Sequence, residues 1–272
     1  MEEKNFELFE KPPLETKIWR YMDFSTFVSV LSNSALHFKR MDLLDDEFEG
    51  TLPKTRRKKT SNIKALCRDL NLDYKKELRE LRSAQKTISV VHSKIVKANR
   101  KMRFVNSWTM DETESVAMWR LYVKSPDGVA FQSTFKRLSN SFVNKHDVNL
   151  GIVHYVDFNR QENDAFDEVA SWHRGFPFMF KRPCFAYEKE LRVVILTEPV
   201  TEKAKKQYWW KNGIRGMPEV QYQQVNLAIL VEKIHVSPTS GQWFYDLVNS
   251  VVKKYGFSLP VASSSIADNP TY

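Results

Sequence analysis

Two cysteines, Cys67 and Cys184, are all that the chain contains. This excludes a disulfide framework and a four-cysteine zinc site. No run approaches the roughly 20 apolar residues of a membrane span. The longest, such as VVIL and LAILV, have the length of strands. The N-terminal MEEKNFELFEKPPLE is acidic and polar and lacks the basic-then-apolar pattern of a secretory signal. Neither G-x-x-x-x-G-K-S/T nor G-x-G-x-x-G occurs, so P-loop and Rossmann readings fall away. The six histidines (37, 92, 146, 154, 173 and 235) are scattered without the H-E-x-x-H spacing of a zinc peptidase. The plain expectation is a cytoplasmic protein with no membrane partner.

Hydrophobic residues make up 42% of the 272 positions and aromatics 13%, enough for a sizeable core. IWRYMDFSTFVSVLSNSALHFKR reads as strand, helix, strand, with Asp23 as N-cap and Phe24, Phe27, Val28 and Leu31 as the apolar stripe. MRFVNSWTM reads as a strand and DETESVAMWRLYV as a helix capped near Asp111 or Thr113. VAFQSTF and GIVHYVDF read as strands, residues 164–180 as a helix, and VNLAILVEKIHVSP as one or two strands. GQWFYDLVNSVVKKYG is an amphipathic helix ended by Gly256, and LPVASSSI is a short last strand. Strands and helices out of strict βαβ order predict an α+β fold with one mixed central sheet flanked by helices. Residues 1–53 and 104–272 form the predicted core domain, and residues 54–103 a basic helical insertion.

The formal charge is +9, unevenly spread. From Lys54 to Arg103 there are 17 Lys and Arg against four acids, a net of +13, so the remainder carries about −4. Such a concentration is the footprint of a surface that meets phosphate, although a solvated helical face has the same composition. The KTRRKK run (Lys54, Arg56, Arg57, Lys58, Lys59) and Arg100, Lys101 and Arg103 are the candidate backbone-gripping residues.

The stretch FAYEKELRVVIL reads as a strand interrupted by Glu188, Glu190 and Arg192 on alternate positions, hence on one face. Arg192 can pair with one glutamate and keep it ionised, while the second, crowded carboxyl acquires a raised pKa. Two carboxylates with split roles suit chemistry at an anomeric carbon. The competing reading is a solvated edge strand bearing an ion-pair ladder. In DDEFEG, Asp45, Asp46, Glu47 and Glu49 form a cluster that can hold magnesium or simply solvate a turn. No metal is assigned, and Asp46 and Glu49 are second candidates for acid–base work. Tyr21, Trp108, Trp119 and Tyr122 are candidate base-stacking rings, with a core role as the alternative for Trp119 and Tyr122.

WRYMDFSTFVSVLSNSALHFKRMDLLDDEFEG, NSWTMDETESVAMWRLYVKSPDGVAFQST and CFAYEKELRVVIL together resemble the ordered landmarks of a bacterial family catalogued as domain of unknown function 2971. Glu47 stands where that family often has proline, and the basic segment has no counterpart in its core. The resemblance implies an association with antiphage defence. A more distant similarity, through Arg20, Ser133, Thr134 and Glu188-x-Glu190, is to ADP-ribosyltransferases. There the arginine orients the dinucleotide and the last glutamate stabilises the reacting ribose. The function expected is therefore a DNA glycosylase-type hydrolase of N-glycosidic bonds that acts on DNA, including phage DNA, and needs no cofactor. Glu190, Glu188, Arg192 and Arg20 are its principal catalytic candidates. The alternatives are an NAD-dependent ADP-ribosyltransferase, a non-catalytic nucleic-acid-binding module, and a metal-dependent nuclease at DDEFEG.

Overall fold

The structure, a computed structural model, describes residues 9–51, 75, 79, 96–144, 148–159, 176–197 and 217–267. Its centre is a nine-stranded mixed sheet with helices around it, an α+β architecture. β1 (Lys17–Asp23) pairs along its whole length with β4 (Gly128–Thr134), which in turn pairs with β10 (Lys233–Val236). β11 (Val261–Ser263) adds to β10 in parallel. On the other side, β3 (Arg103–Met110) pairs with β8 (Glu190–Leu196), and β8 with β5 (Val148–Ile152). β2 (Ala35–Arg40) carries the edge strand β9 (Val220–Gln224). A separate parallel pair joins β6 (His154–Tyr155) to β7 (Phe180–Lys181).

Period-two alternation divides the sheet into two faces. One face lies under the helices Phe24–Asn33, Phe135–Ser141, Leu227–Leu230 and Gln242–Lys254. Phe27, Leu31, Leu138, Phe244 and Val248 pack there against Ile18, Phe38, Phe104, Phe131, Leu191 and Val193. Each such buried side chain stabilises the fold by about 1.5–3 kcal/mol. The opposite face holds two smaller apolar groups, Phe9, Met41, Val105, Phe178, Met179 and Val194 in one and Trp19, Tyr21, Met118, Trp119, Val123 and Ala130 in the other. Ser107 and Thr109, paired with Arg192 and Glu190, continue β3 from the first group toward Trp19 of the second. Polar residues thus occupy the interval between two greasy patches.

The sheet forks at this interval. β8 runs along one edge of β3 from Arg103 to Thr109, so β1 and β2 must share the other. β1 is in register only at Thr109 and Met110, and β2 only at Phe104 and Val105. Residues 106–108 therefore face a gap. Two side-chain bonds span it: Asn106 Nδ2 donates to His37 O at 2.8 Å, and Arg20 Nη1 donates to Ser107 O at 2.6 Å.

Several local expectations need correction. FAYEKELRVVIL is not one strand: Pro183–Glu188 is a 3-10 turn begun by proline, and Lys189 (φ 44) turns left-handed before the strand starts at Glu190. LAIL is a helical turn because Asn226 Oδ1 accepts from Ala228 N and Ile229 N, a cap that overrides apolar strand character. The Val116–Tyr122 helix is capped by Ser115, not Asp111 or Thr113. Asp23 precedes its helix without capping it, and its Oδ1 instead accepts from Lys124 N at 3.3 Å. GIVHYVDF is split at Val153, whose N–H bonds Glu190 O. Of residues 164–180, 164–175 lie outside the described residues, and Phe176–Met179 is a 3-10 turn entering β7. Of the basic insertion, residues 75 and 79 and a helical stretch at 96–101 are described, and Ala98 and the following Met102 are buried.

Candidate functional site

Glu190 opens β8 on the polar face opposite Thr109, and Arg192 follows opposite Ser107. Both are almost wholly buried. Glu190 accepts four hydrogen bonds: from Ser107 Oγ (2.5 Å), Arg192 Nε (2.7 Å), Arg192 Nη2 (2.9 Å) and Lys181 Nζ (3.2 Å). Burial opposes its charge, but the Arg192 and Lys181 cations overcome that penalty and hold the carboxyl down to about 2. Arg192 also bonds Glu49 Oε2 and donates from Nη1 to Phe178 O at 2.8 Å. It is raised well above its ordinary range despite burial, by Glu190 and Glu49.

Glu188 reaches the same place by a different route. The left-handed turn at Lys189 breaks the strand, yet leaves Glu188 and Glu190 on one ammonium. Lys181 Nζ stands 2.6 Å from Glu188 Oε2, 3.2 Å from Glu190 Oε2 and 3.7 Å from Glu49 Oε1. Burial pushes Glu188 above the ordinary carboxylate range, against the pull of Lys181. Of the two glutamates, Glu190 is fully engaged and ionised, whereas Glu188 accepts a single lysine hydrogen bond and has the Tyr122 hydroxyl beside it. The sequence reading missed Lys181. A lysine directly after the apolar run FMF was the available signal. Tyr155 was missed as well; its hydroxyl accepts from Glu190 N at 2.9 Å, and burial pushes it up to about 12.

The acidic loop supplies a wall. Asp46, buried, accepts from Arg182 Nε at 3.0 Å and from Phe48 N at 3.1 Å. Arg182 lies over the Phe48 and Phe185 rings at 4.9 and 5.5 Å, fastening the loop to the turn that carries Glu188. Glu49 faces Arg192 and Lys181, and Gly50 adopts φ 75 directly after it. Asp46 and Glu49 are thus tied to different cations and Asp45 is exposed, so DDEFEG is dispersed rather than gathered around a metal. Among the described residues no group of three or more His, Cys, Asp or Glu is placed to hold one.

Asp46, Glu49, Ser107, Lys181, Glu188, Glu190 and Arg192 line one cleft of about 340 Å³, together with Arg20, Tyr21, His37, Lys39, Trp108, Tyr122 and Phe185. The fold therefore brings all six catalytic candidates into a single cavity. Arg20 makes one hydrogen bond, to Ser107 O, and no ion pair among the described residues. Burial lowers it to about 10. The base-stacking candidates separate. Tyr122 is half exposed at the cleft, and burial of its hydroxyl near Glu188 raises it. Trp108 borders the cleft but is buried, its Nε1 donating to Asn106 Oδ1 at 2.8 Å. Tyr21 accepts from Ser115 N and packs edge-on to Trp119 at 5.0 Å. Trp119 does not line the cleft; it is core, with Nε1 bound to Glu114 Oε2 at 3.0 Å. A stacking role for Trp119 is therefore corrected to a structural one.

Glu114 anchors a second buried polar group. It accepts from Ser264 Oγ (2.6 Å) and Ser265 N (3.0 Å), and His235 Nδ1 lies 3.2 Å away. Burial works against its charge, but these partners hold it down to about 2.

Of the backbone-gripping candidates, Lys54, Arg56, Arg57, Lys58 and Lys59 lie outside the described residues. Arg100 Nη2 contacts Met41 O at 3.5 Å and Arg103 Nη1 donates to Met102 O at 3.1 Å, so both turn toward the protein's own carbonyls. Lys101 is half-buried at the end of the helical stretch. No described helix is long and apolar enough to cross a membrane. No protein-family model, no curated protein and no solved structure matches this chain.

Proposed function

We propose that the chain is a nucleic-acid-directed hydrolase that cleaves an N-glycosidic bond and excises a base from DNA. One observation carries the reading. Two carboxylates of opposite disposition share Lys181 inside a cleft of ligand size: Glu190 is locked and ionised, and Glu188 is lightly held and raised. Three carboxylates (Glu49, Glu188, Glu190) face two cations (Lys181, Arg192), leaving a local charge of −1 that favours a sugar cation. Glu188 takes a proton from water as the water oxygen bonds the anomeric carbon. The carbon–nitrogen bond breaks with its electron pair on the base, and that proton passes to the departing nitrogen. Tyr122 supplies a ring at the cleft for the sugar or base.

DNA as target rests on the +13 segment at residues 54–103, and the antiphage role on the resemblance to the bacterial family. The test is incubation of purified protein with plain and phage-type modified DNA. Abasic sites that vanish in Glu188→Gln support the reading; their absence on every substrate removes it.

NAD-dependent ADP-ribosyl transfer is the second reading, favoured by an arginine in the cleft without an acid partner among the described residues. Its middle motif is weak here. Ser133 is fully buried and donates to Leu230 O at 2.5 Å, and Thr134 caps the Phe135–Ser141 helix. Nicotinamide release would favour this reading. A non-catalytic binding module predicts biological activity that survives Glu190→Gln but not charge reversal at Arg56 and Arg57.

A further inference from the structure

We infer that the forked edge of β3 is an anion subsite, built on Arg20 and Lys39, which takes the phosphate of the sugar whose anomeric carbon faces Glu188. The inference deepens the glycosidic reading and rests on it for the identity of the sugar.

Two arginines lie on strands that border the cleft, and they are treated in opposite ways. Arg192 bonds two carboxylates and a carbonyl. Arg20 has the same planar array of donors, but among the described residues a single one is engaged, on Ser107 O. Among the described residues no carboxylate lies within ion-pair distance of it. A half-buried guanidinium left without a counter-charge among the described residues is suited to receive one, and its fork geometry matches phosphate oxygens.

The position of Arg20 follows from the fold. The outer edge of β3 at residues 106–108 lacks a strand, because β1 departs after Trp19 and β2 arrives only at Lys39. The Ser107 carbonyl exposed there holds the guanidinium at the cleft wall. Lys39 lines the same cleft, and its only ion pair among the described residues is a 3.9 Å contact with fully exposed Asp45. His37 lines the same cleft, and burial together with the Arg20 and Lys39 charges lowers its pKa, as a locally positive corner requires. Tyr122 lines the same cleft as Arg20 and has its hydroxyl beside Glu188. A sugar phosphate lying across Tyr122 would have its anion at Arg20 and its ring carbon at Glu188.

Binding of ribose 5-phosphate and of ribose to the full chain, by calorimetry, tests this without any bond being cut. The phosphate should improve affinity by about tenfold or more, the worth of one charge-assisted contact, and added salt should erode the gain. Arg20→Gln should abolish the difference and Lys39→Gln should reduce it, while Glu188→Gln should leave it intact. Equal affinity of the wild-type protein for both sugars overturns the subsite even if Arg20→Gln fails to fold. So does a difference that survives Arg20→Gln in a folded protein. Phosphate-dependent binding without cleavage of any DNA would instead retain the subsite and remove the glycosidic reading.

Discussion

Lys181 Nζ lies 2.6 Å from Glu188 Oε2, joining two residues seven apart across a 3-10 turn. The same ammonium reaches Glu190 and Glu49. One buried cation therefore coordinates three acids that come from the acidic loop, the turn and the strand.

Glu188→Gln keeps the shape of the side chain and its reach to Lys181 but cannot take up a proton. Base excision should fall by roughly 10²–10⁴-fold. The urea midpoint should not fall, because the charge removed is one that burial disfavours. Abasic-site yield and equilibrium unfolding measured side by side check both halves.

Arg192→Met should have the opposite signature. It strands Glu190 and Glu49 without their main counter-ion, a loss of roughly 3–5 kcal/mol for a broken buried pair. Denaturant titration should show it directly, whatever becomes of activity.

The pH dependence of cleavage follows from Glu188. A base must be ionised, and this carboxyl sits above its ordinary 4.5, so activity should decline on the acid side with a midpoint above that value. Lys181→Met removes the cation that favours the ionised form, and the acid limb should move to still higher pH. A limb that does not move would mean that another group titrates.

Acid stability has the reverse sign. Glu190 and Glu114 are held near 2 against an ordinary 4.5. Their contribution is complete above about 4.5 and is lost as pH falls toward 2. Glu188, being raised, opposes this by ceasing to destabilise as it protonates. Urea midpoints should therefore drop steeply across that window, and less steeply in Glu114→Gln.

Gly50→Ala should damage the site from a distance. The residue has φ 75, and an added Cβ would stand 2.6 Å from Met41 Sδ and 3.0 Å from Arg100 Cγ. A cost above about 1 kcal/mol is expected. The neighbouring Glu49–Arg192 pair should be disturbed with it, so activity should fall more than stability alone explains.

Local pattern was enough to identify most strands, the amphipathic Gln242–Lys254 helix and the α+β class, because side-chain period and turn chemistry act within a few residues. It was also enough to group Glu188, Glu190 and Arg192, although by a strand geometry that the chain does not have: Pro183 and the left-handed Lys189 intervene. Asn226 turned LAIL into a helix by a cap worth more than strand propensity. Lys181, the contact between Glu49 and Arg192, and the gap in which Arg20 sits were not legible in the order of residues. Each depends on segments far apart along the chain meeting at one sheet face, and the position of a buried charge is set by whichever partners packing brings to it.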